Sequence, residues 1–340
     1  MGLLAPSWVI TLWRMLCQMV QPSSNTQSFL MSGRVGKPAR LFCFGVMFAW
    51  WKDEGMYVVL GATGHVGSVV AGHLLDAQRP VTIVTRSREK AVLWQRKGAV
   101  AAVEDIYDPA ALEDVFRKAS RVFLLNPPAR VSEDTDTVER QSVGAILAAL
   151  KGVQLEKIVV QSTYGAQPGP HCGDLGVLYE LEEGVRSLGV PTCSLRAAYY
   201  MSNWIFSAKQ ARETGEFSTV LPVGLKVPMV APQDVGVLAA RLLMSEVTET
   251  GLYACEGPSL YAPQDVATVL GHVVGRPVWV REIPSADWLA YYRENGFSEQ
   301  AAQSYAHMTK LFISQPHEQA GIRCKGSTGL EAYFKGVFGA

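Results

Sequence analysis

Gly61-Ala62-Thr63-Gly64-His65-Val66-Gly67 follows directly on the apolar run Met56-Tyr57-Val58-Val59-Leu60. It opens directly into an amphipathic stretch in which Val66, Val69, Val70, Leu74 and Leu75 share one helical face. Strand, glycine turn and helix, in that order, make a phosphate cradle. Glycine lets the backbone come close to a pyrophosphate, and the helix N-terminus offers unpaired N–H groups and a favourable dipole. A glycine triplet alone is a weak signal; the strand before it and the helix after it are the context that gives it meaning. Gly61, Thr63, Gly64, His65, Val66 and Gly67 are therefore candidate cofactor-binding positions.

The next predicted strand, Val81-Thr82-Ile83-Val84-Thr85, ends where the cofactor is chosen. A site for NAD places an acidic side chain there, about 20 residues past the glycines, to bind the ribose 2′-hydroxyl. This chain reads Arg86-Ser87-Arg88-Glu89-Lys90 instead. Arginine pairs bidentately with a 2′-phosphate, and a serine hydroxyl adds a donor. Arg86, Ser87 and Lys90 thus favour NADPH over NADH, against the plainer reading of a solvated, charged helix start.

The glycine spacing is G-x-x-G-x-x-G rather than the commoner G-x-G-x-x-G. With Ala62-Thr63-Gly64 in the loop, Arg86 after the second strand and Glu104-Asp105-Ile106-Tyr107-Asp108-Pro109 after the third, it resembles the NmrA-like family of atypical short-chain dehydrogenases/reductases. Ser194-Leu195-Arg196 followed by Tyr199-Tyr200-Met201-Ser202-Asn203 resembles the "LRPGFFMEN" stretch of that family. The resemblance spans residues 56 to 310 and rests on order and spacing more than on any single motif. It implies that Asp105 and Ile106 flank the adenine and that Asn126 and Pro127 border the nicotinamide ribose. It further implies that Ser162 and Tyr164 face nicotinamide and substrate. These positions all follow predicted strand ends, where a doubly wound sheet binds its ligands.

From Met56 on, strands are expected near 56–60, 81–85, 99–103, 121–125, 157–161 and 192–196. Helices are expected near 65–78, 109–118, 136–151 and 177–188. This alternation predicts an α/β fold, a Rossmann-type doubly wound parallel sheet. Past Arg196 the pattern turns irregular and more helical, with helices over 284–295 and 298–313. A small, mostly helical C-terminal substrate lobe is expected there. The resulting division is 56–196 for the NAD(P)-binding core and 197–330 for the lobe, interleaved with the core. Ala231-Pro232-Gln233-Asp234-Val235 and Ala262-Pro263-Gln264-Asp265-Val266 repeat one helix-start chemistry, proline at the first helical position and aspartate in the first turn. Trp288, Tyr291, Tyr292, Phe297, Tyr305 and Met308 form an aromatic stripe that reads as core before pocket.

The 340 residues carry 31 Lys plus Arg against 31 Asp plus Glu, with no block of like charge. That argues against a nucleic-acid footprint, which shows as a clustered basic face. Six scattered cysteines, Cys17, Cys43, Cys172, Cys193, Cys255 and Cys324, contain no C-x-x-C pair. They suggest no disulfide framework and no metal site, and a reducing cytoplasm fits them. Cys193 and Cys255 fall in predicted strands and read as buried apolar residues; Cys172 reads as a loop residue near the pocket. Residues 1–55 stand apart, rich in Trp, Met and Phe. Their apolar runs from Trp8 to Val20 and from Leu41 to Trp51 fall short of the ~20 residues of a membrane span. Gly2 lacks the Ser or Thr of a myristoylation signal, since Pro6 stands in its place. Because short-chain reductases commonly begin at their first strand, near Met56, this segment reads as a leader or an over-extended start.

Short-chain reductases usually pair a tyrosine with a lysine four residues on, and no Tyr-x-x-x-Lys stands at the right place. Tyr179 is followed at that spacing by Glu183. Where the family often has K-x-x-x-E, this chain has Leu178-Tyr179-Glu180-Leu181-Glu182. Carbonyl reduction is therefore disfavoured. Hydride transfer to an electron-poor quinone or azo compound asks less, because solvent or one hydroxyl can deliver the proton. Tyr164 is the candidate catalytic hydroxyl, with Tyr199 and Tyr200 next; His171 and His65 are weaker donors. For each tyrosine the plainer reading is a packed ring with a bonded hydroxyl. Arg196 reads as a buried cation with a carboxylate partner. The aromatic segment 199–206 suits a small planar aromatic substrate. An NADPH-dependent quinone- or azo-type oxidoreductase is the leading expectation, and a non-catalytic NADP(H) redox sensor of the same fold is the alternative. An NAD-using epimerase is disfavoured by Arg86. The oligomeric state is left open, a homodimer among the options.

Overall fold

The β-branched apolar runs and the amphipathic stretches between them fold in the order the pattern predicts. The computed structural model describes residues 55–314 and 320–338. Its first part runs β1 (Tyr57–Val59), α1 (His65–Asp76), β2 (Val81–Thr85), α2 (Arg88–Arg96), β3 (Val100–Val103), α3 (Pro109–Phe116), β4 (Arg121–Leu124), α4 (Thr135–Leu150), β5 (Lys157–Thr163), α5 (Asp174–Ser187) and β6 (Thr192–Ala197). Then come β7 (Tyr199–Tyr200), α6 (Ile205–Thr214), β8 (Glu216–Thr219), β9 (Val227–Val230), α7 (Pro232–Met244), β10 (Gly251–Glu256), β11 (Leu260–Tyr261) and α8 (Pro263–Val274). The chain closes with β12 (Trp279–Glu282), α9 (Trp288–Glu294), α10 (Glu299–Ser314), β13 (Ile322–Lys325) and α11 (Leu330–Phe338). The leader expected over residues 1–55, with Cys17 and Cys43, lies outside the described residues apart from Gly55. No helix among the described residues is long and apolar enough to cross a membrane.

The large sheet has eight strands in the order β3-β2-β1-β4-β5-β6-β10-β13, all paired in parallel. The order reverses between β1 and β4, the switch point at which such sheets bind ligands. Its central strands are buried on both faces, which is why they read as continuous apolar runs. One face carries Val59, Ile83, Phe123, Val159 and Leu195 against Val66, Val70 and Leu74 of α1 and Val235, Ala239 and Leu243 of α7. The other carries Val58, Val122, Leu124, Ile158 and Val160 against Leu112 and Phe116 of α3, Val143 and Ile146 of α4, and Leu181 and Val185 of α5. Each such large apolar side chain contributes roughly 1.5–3 kcal/mol on burial. The approach of α7 to α1 depends on Gly236, where a Cβ would come within 2.6 Å of Val69.

Three features depart from the expected pattern. Residues 88–96 form a helix, although their apolar residues are contiguous rather than spaced by three and four; Ser87 Oγ caps it by accepting the Lys90 N–H at 3.2 Å. The sheet recruits β10 and β13 from beyond residue 196, so the later part of the chain extends the core as well as building the lobe. The lobe also holds small sheets, β11-β9-β7 and β12-β8, among its helices. The two proline-led helix starts diverge in use. Asp265 accepts the Ala262 N–H at 2.8 Å, whereas Asp234 accepts from Thr328, by its N–H at 2.9 Å and its hydroxyl at 2.8 Å.

Candidate functional site

The glycine loop leaves β1 at Gly61, whose φ of +65° falls in the left-handed region, and turns under Leu125. Gly64 closes the turn, donating its N–H to Gly61 O at 2.9 Å, and starts α1. No side chain caps this helix. A Cβ on Gly64 would meet only Gly61 O, at 3.4 Å, so the space before the helix is open. A Cβ on Gly67 would strike the same carbonyl at 2.3 Å, which makes that glycine a packing requirement. Thr63 is half-buried, Gly64 and His65 are exposed at the loop, and Val66 and Gly67 are buried beneath it. The uncapped amides of the first turn and the open approach fit an anionic group.

Arg86 is exposed at the end of β2 and forms no ion pair among the described residues. Ser87 and Lys90 are half-buried beside it. The Ser87 oxygen accepts within its own helix cap, which leaves its hydroxyl hydrogen to donate elsewhere. At the end of β3, Asp105 accepts the Tyr107 N–H at 3.2 Å and Ile106 packs against the core. Burial raises the pKa of Tyr107, and Arg86 opposes that shift, so the ends of β2 and β3 converge. Asn126, past β4, accepts a short hydrogen bond from Ser142 of α4, and Pro127 is half-buried beside it. Ser162, at the end of β5, is 1% exposed, and its hydroxyl has no partner among the described residues. An orphaned buried hydroxyl at the ligand edge of a parallel sheet fits a bound polar group. The loop and the ends of β1 to β5 therefore share one edge of the sheet, and their donors fit a dinucleotide carrying an extra phosphate.

Tyr164 is placed differently. Its ring lies in the core and its hydroxyl donates to Glu256 Oε1 at 2.8 Å. Burial, then that carboxylate, pushes the phenol pKa up. This is the packed arrangement rather than that of a free proton donor. Tyr199 and Tyr200 are also raised by burial, and Tyr200 Oη and Trp204 Nε1 have no partner among the described residues. The segment 199–206 packs inward: Tyr199 sits 5.8 Å from Trp204 and 5.7 Å from Phe312, ring to ring, and of its aromatic residues only Phe206 is exposed. Trp288 and Tyr292 are buried as expected of a core stripe, with Tyr292 5.0 Å from Phe297. Cys172 is buried and donates to Gly169 O at 2.9 Å; burial raises its thiol pKa, so it is not poised as a nucleophile. His171 adopts φ +52° and its carbonyl bonds to His307 Nδ1 at 3.0 Å. Arg196 does have its carboxylate partner, Glu182, in a two-pronged pair at 2.9 and 2.7 Å.

Two groups escaped the sequence reading. Glu256, with Lys325 at 2.6 Å, holds Tyr164 from the far end of the chain, and no local signal announces it. Glu139 and Asp174 form a carboxyl pair beside the loop that follows β4, where Glu139 accepts the Ala129 N–H at 2.9 Å. Burial, then the neighbouring Asp174, pushes Glu139 up to about 8, and burial pushes Asp174 up as well. A signal for this existed: Asp136 and Glu139 share one face of α4, and that face is buried.

Comparison with known proteins agrees with this fold. The NAD(P)H azoreductase of Xenophilus azovorans is 27% identical over 223 residues, 66% of this chain and 75% of that protein. The structure of Citrobacter sp. triphenylmethane reductase complexed with NADP(H) superposes with a TM-score of 0.68 at 19% identity, covering 83% of this chain and 99% of that one. The NADPH-dependent quinone oxidoreductase QOR2 of Escherichia coli, complexed with NADPH, superposes at 0.62 with 22% identity, covering 76% and 91%. The profile of the NmrA-like family matches residues 54–322, and the chain belongs to that family.

Proposed function

We propose that this protein is an NADPH-dependent oxidoreductase that passes hydride to a small, planar, electron-poor acceptor of the quinone or azo class. The observation that carries the reading is the open, uncapped start of α1 behind Gly64, together with the exposed Arg86 one strand away, which forms no ion pair among the described residues. NADP(H) is the cofactor, and when bound it supplies the hydride. In this reading the loop residues Gly61, Thr63, Gly64, His65, Val66 and Gly67 hold the pyrophosphate. Arg86, Ser87 and Lys90 take the 2′-phosphate, Asp105 and Ile106 border the adenine, Asn126 and Pro127 border the nicotinamide ribose, and Ser162 faces the nicotinamide and the acceptor. Residues 56–196 carry these groups, and the lobe over 197–330 covers the acceptor. The relative that reduces azo compounds and the neighbour that reduces quinones support the acceptor class. With Tyr164 bonded to Glu256, solvent delivers the proton, which suffices for a strongly electron-poor acceptor. The described cysteines are free thiols, which suits a cytosolic enzyme.

The absence of lysine at Leu178 and the engaged hydroxyl of Tyr164 favour a second reading, an NADP(H)-binding redox sensor. One experiment separates the two. The protein is titrated with NADPH and NADH by fluorescence, and loss of reduced nicotinamide absorbance is then followed with a panel of quinones and azo dyes. Preferential NADPH binding with turnover supports the oxidoreductase. Tight binding with every acceptor left unreduced supports the sensor.

A further inference from the structure

β13 is the outermost strand of the large sheet, and all but its first residue lies past the family match, which stops at residue 322. Its register against β10 sets Ala254 opposite Arg323, Cys255 opposite Cys324 and Glu256 opposite Lys325. Residues opposite one another in neighbouring strands project from the same face. Cys255 and Cys324 therefore stand side by side. Both are free thiols at the margin of one apolar cluster, Cys255 buried within it and Cys324 half-buried against it. The other two described cysteines are occupied, Cys172 donating to Gly169 O and Cys193 to Glu249 O. Neither Cys255 nor Cys324 makes a hydrogen bond among the described residues.

We propose that Cys255 and Cys324 are a redox-active pair that closes to a disulfide when a small-molecule disulfide is the oxidant. Neighbouring strands lie ~4.8 Å apart, inside the ~4.4–6.8 Å between Cα atoms that a disulfide spans. Among the described residues no strand pairs with the outer side of β13, so no second ladder there opposes the small shift that brings the sulfurs together. Burial raises both thiol pKa values, that of Cys255 to about 12, so the reaction starts from the thiolate fraction of Cys324, the more accessible of the two. Its sulfur attacks the oxidant, forming a mixed disulfide and releasing one small thiol. Cys255 then attacks Cys324 Sγ, forming the protein disulfide and releasing the second small thiol. Two protein thiols lose two electrons and two protons, and the two halves of the oxidant gain them.

The bond would fasten the last strand one register step from Glu256 and Lys325, the pair that holds Tyr164. It would also fix the segment that leads through Thr328 to α11, whose Tyr333 and Phe334 are buried in the lobe.

The test incubates the full chain with oxidised glutathione, digests it with trypsin without reduction, and maps the linked peptides by mass spectrometry. The expected product joins the peptide of Cys255 to that of Cys324. Dithiothreitol reverses it, Cys324→Ser abolishes it and Cys172→Ser leaves it intact. The melting temperature should rise on oxidation of the parent protein but not of Cys324→Ser. Glutathione that remains on Cys324 without transfer to Cys255 would overturn the proposal. So would links that run from Cys324 to any other cysteine or to a second chain.

Discussion

Tyr164 and Glu256 are joined by a buried hydrogen bond of 2.8 Å that bridges 92 residues of sequence. The phenol donates, and Lys325 donates to the other carboxylate oxygen at 2.6 Å. Burial alone would raise the Glu256 pKa, but these two donors hold it below its ordinary value. The end of β5 is thereby tied to β10 and, through Lys325, to β13. The residue that looked most like a proton donor is a tie between strands.

Tyr164→Phe should therefore lower stability by roughly 1–3 kcal/mol, because a buried carboxylate oxygen loses a donor. Turnover with a quinone should stay within a few-fold of the parent. A general acid would be missed by a factor of about 100 or more. A loss that large, measured by stopped-flow oxidation of NADPH, would return Tyr164 to the chemistry.

Arg86→Ala should weaken NADPH binding by roughly 10- to 100-fold, the worth of a charge-assisted contact to phosphate. NADH, which lacks the 2′-phosphate, should bind as before. Fluorescence titration of both cofactors checks this, and equal losses would mean that Arg86 is not at the 2′-phosphate.

Gly64 and Gly67 should separate binding from folding. Gly64 has φ of −99° and open space, so Gly64→Val should melt near the parent temperature yet lose dinucleotide binding. Gly67→Ala pushes a methyl against Gly61 O at 2.3 Å and should lower the melting temperature itself. Thermal melts with and without NADPH distinguish the two. A Gly64→Val protein that still binds NADPH would remove the basis of the phosphate cradle.

The Glu139 and Asp174 pair predicts a pH dependence of stability. Folded Glu139 keeps its proton up to about 8, whereas its ordinary value is 4.5. Between those values the folded protein binds more protons than the unfolded chain, so stability falls as pH rises through the window. Glu139→Gln donates to Asp174 without titrating and should flatten that slope, leaving the variant relatively more stable at the alkaline end. Urea denaturation across the window measures it; an unchanged slope would assign the effect elsewhere.

Much of this was legible because it is local. The six strands from β1 to β6 follow from apolar runs, and the helix starts of α7 and α8 follow from their proline and aspartate. The glycine loop could be read because its requirements lie within seven residues. Glu182 was legible as a family glutamate, but its bond to Arg196 was only inferable as some carboxylate. The partners of Tyr164 were invisible, because Glu256 and Lys325 sit on strands that meet β5 only after the sheet has formed.

The sequence by itself determined the parallel sheet, the glycine loop between its first strand and helix, and the arginine at the end of its second strand. Each is a consequence of short-range backbone geometry and side-chain type. Tertiary structure alone decided that β10 and β13 complete the sheet, that Tyr164 is tied to Glu256, and that Cys255 faces Cys324. Strand register is fixed by packing among segments far apart in the chain, and a shift of one residue would turn every one of those side chains to the other face.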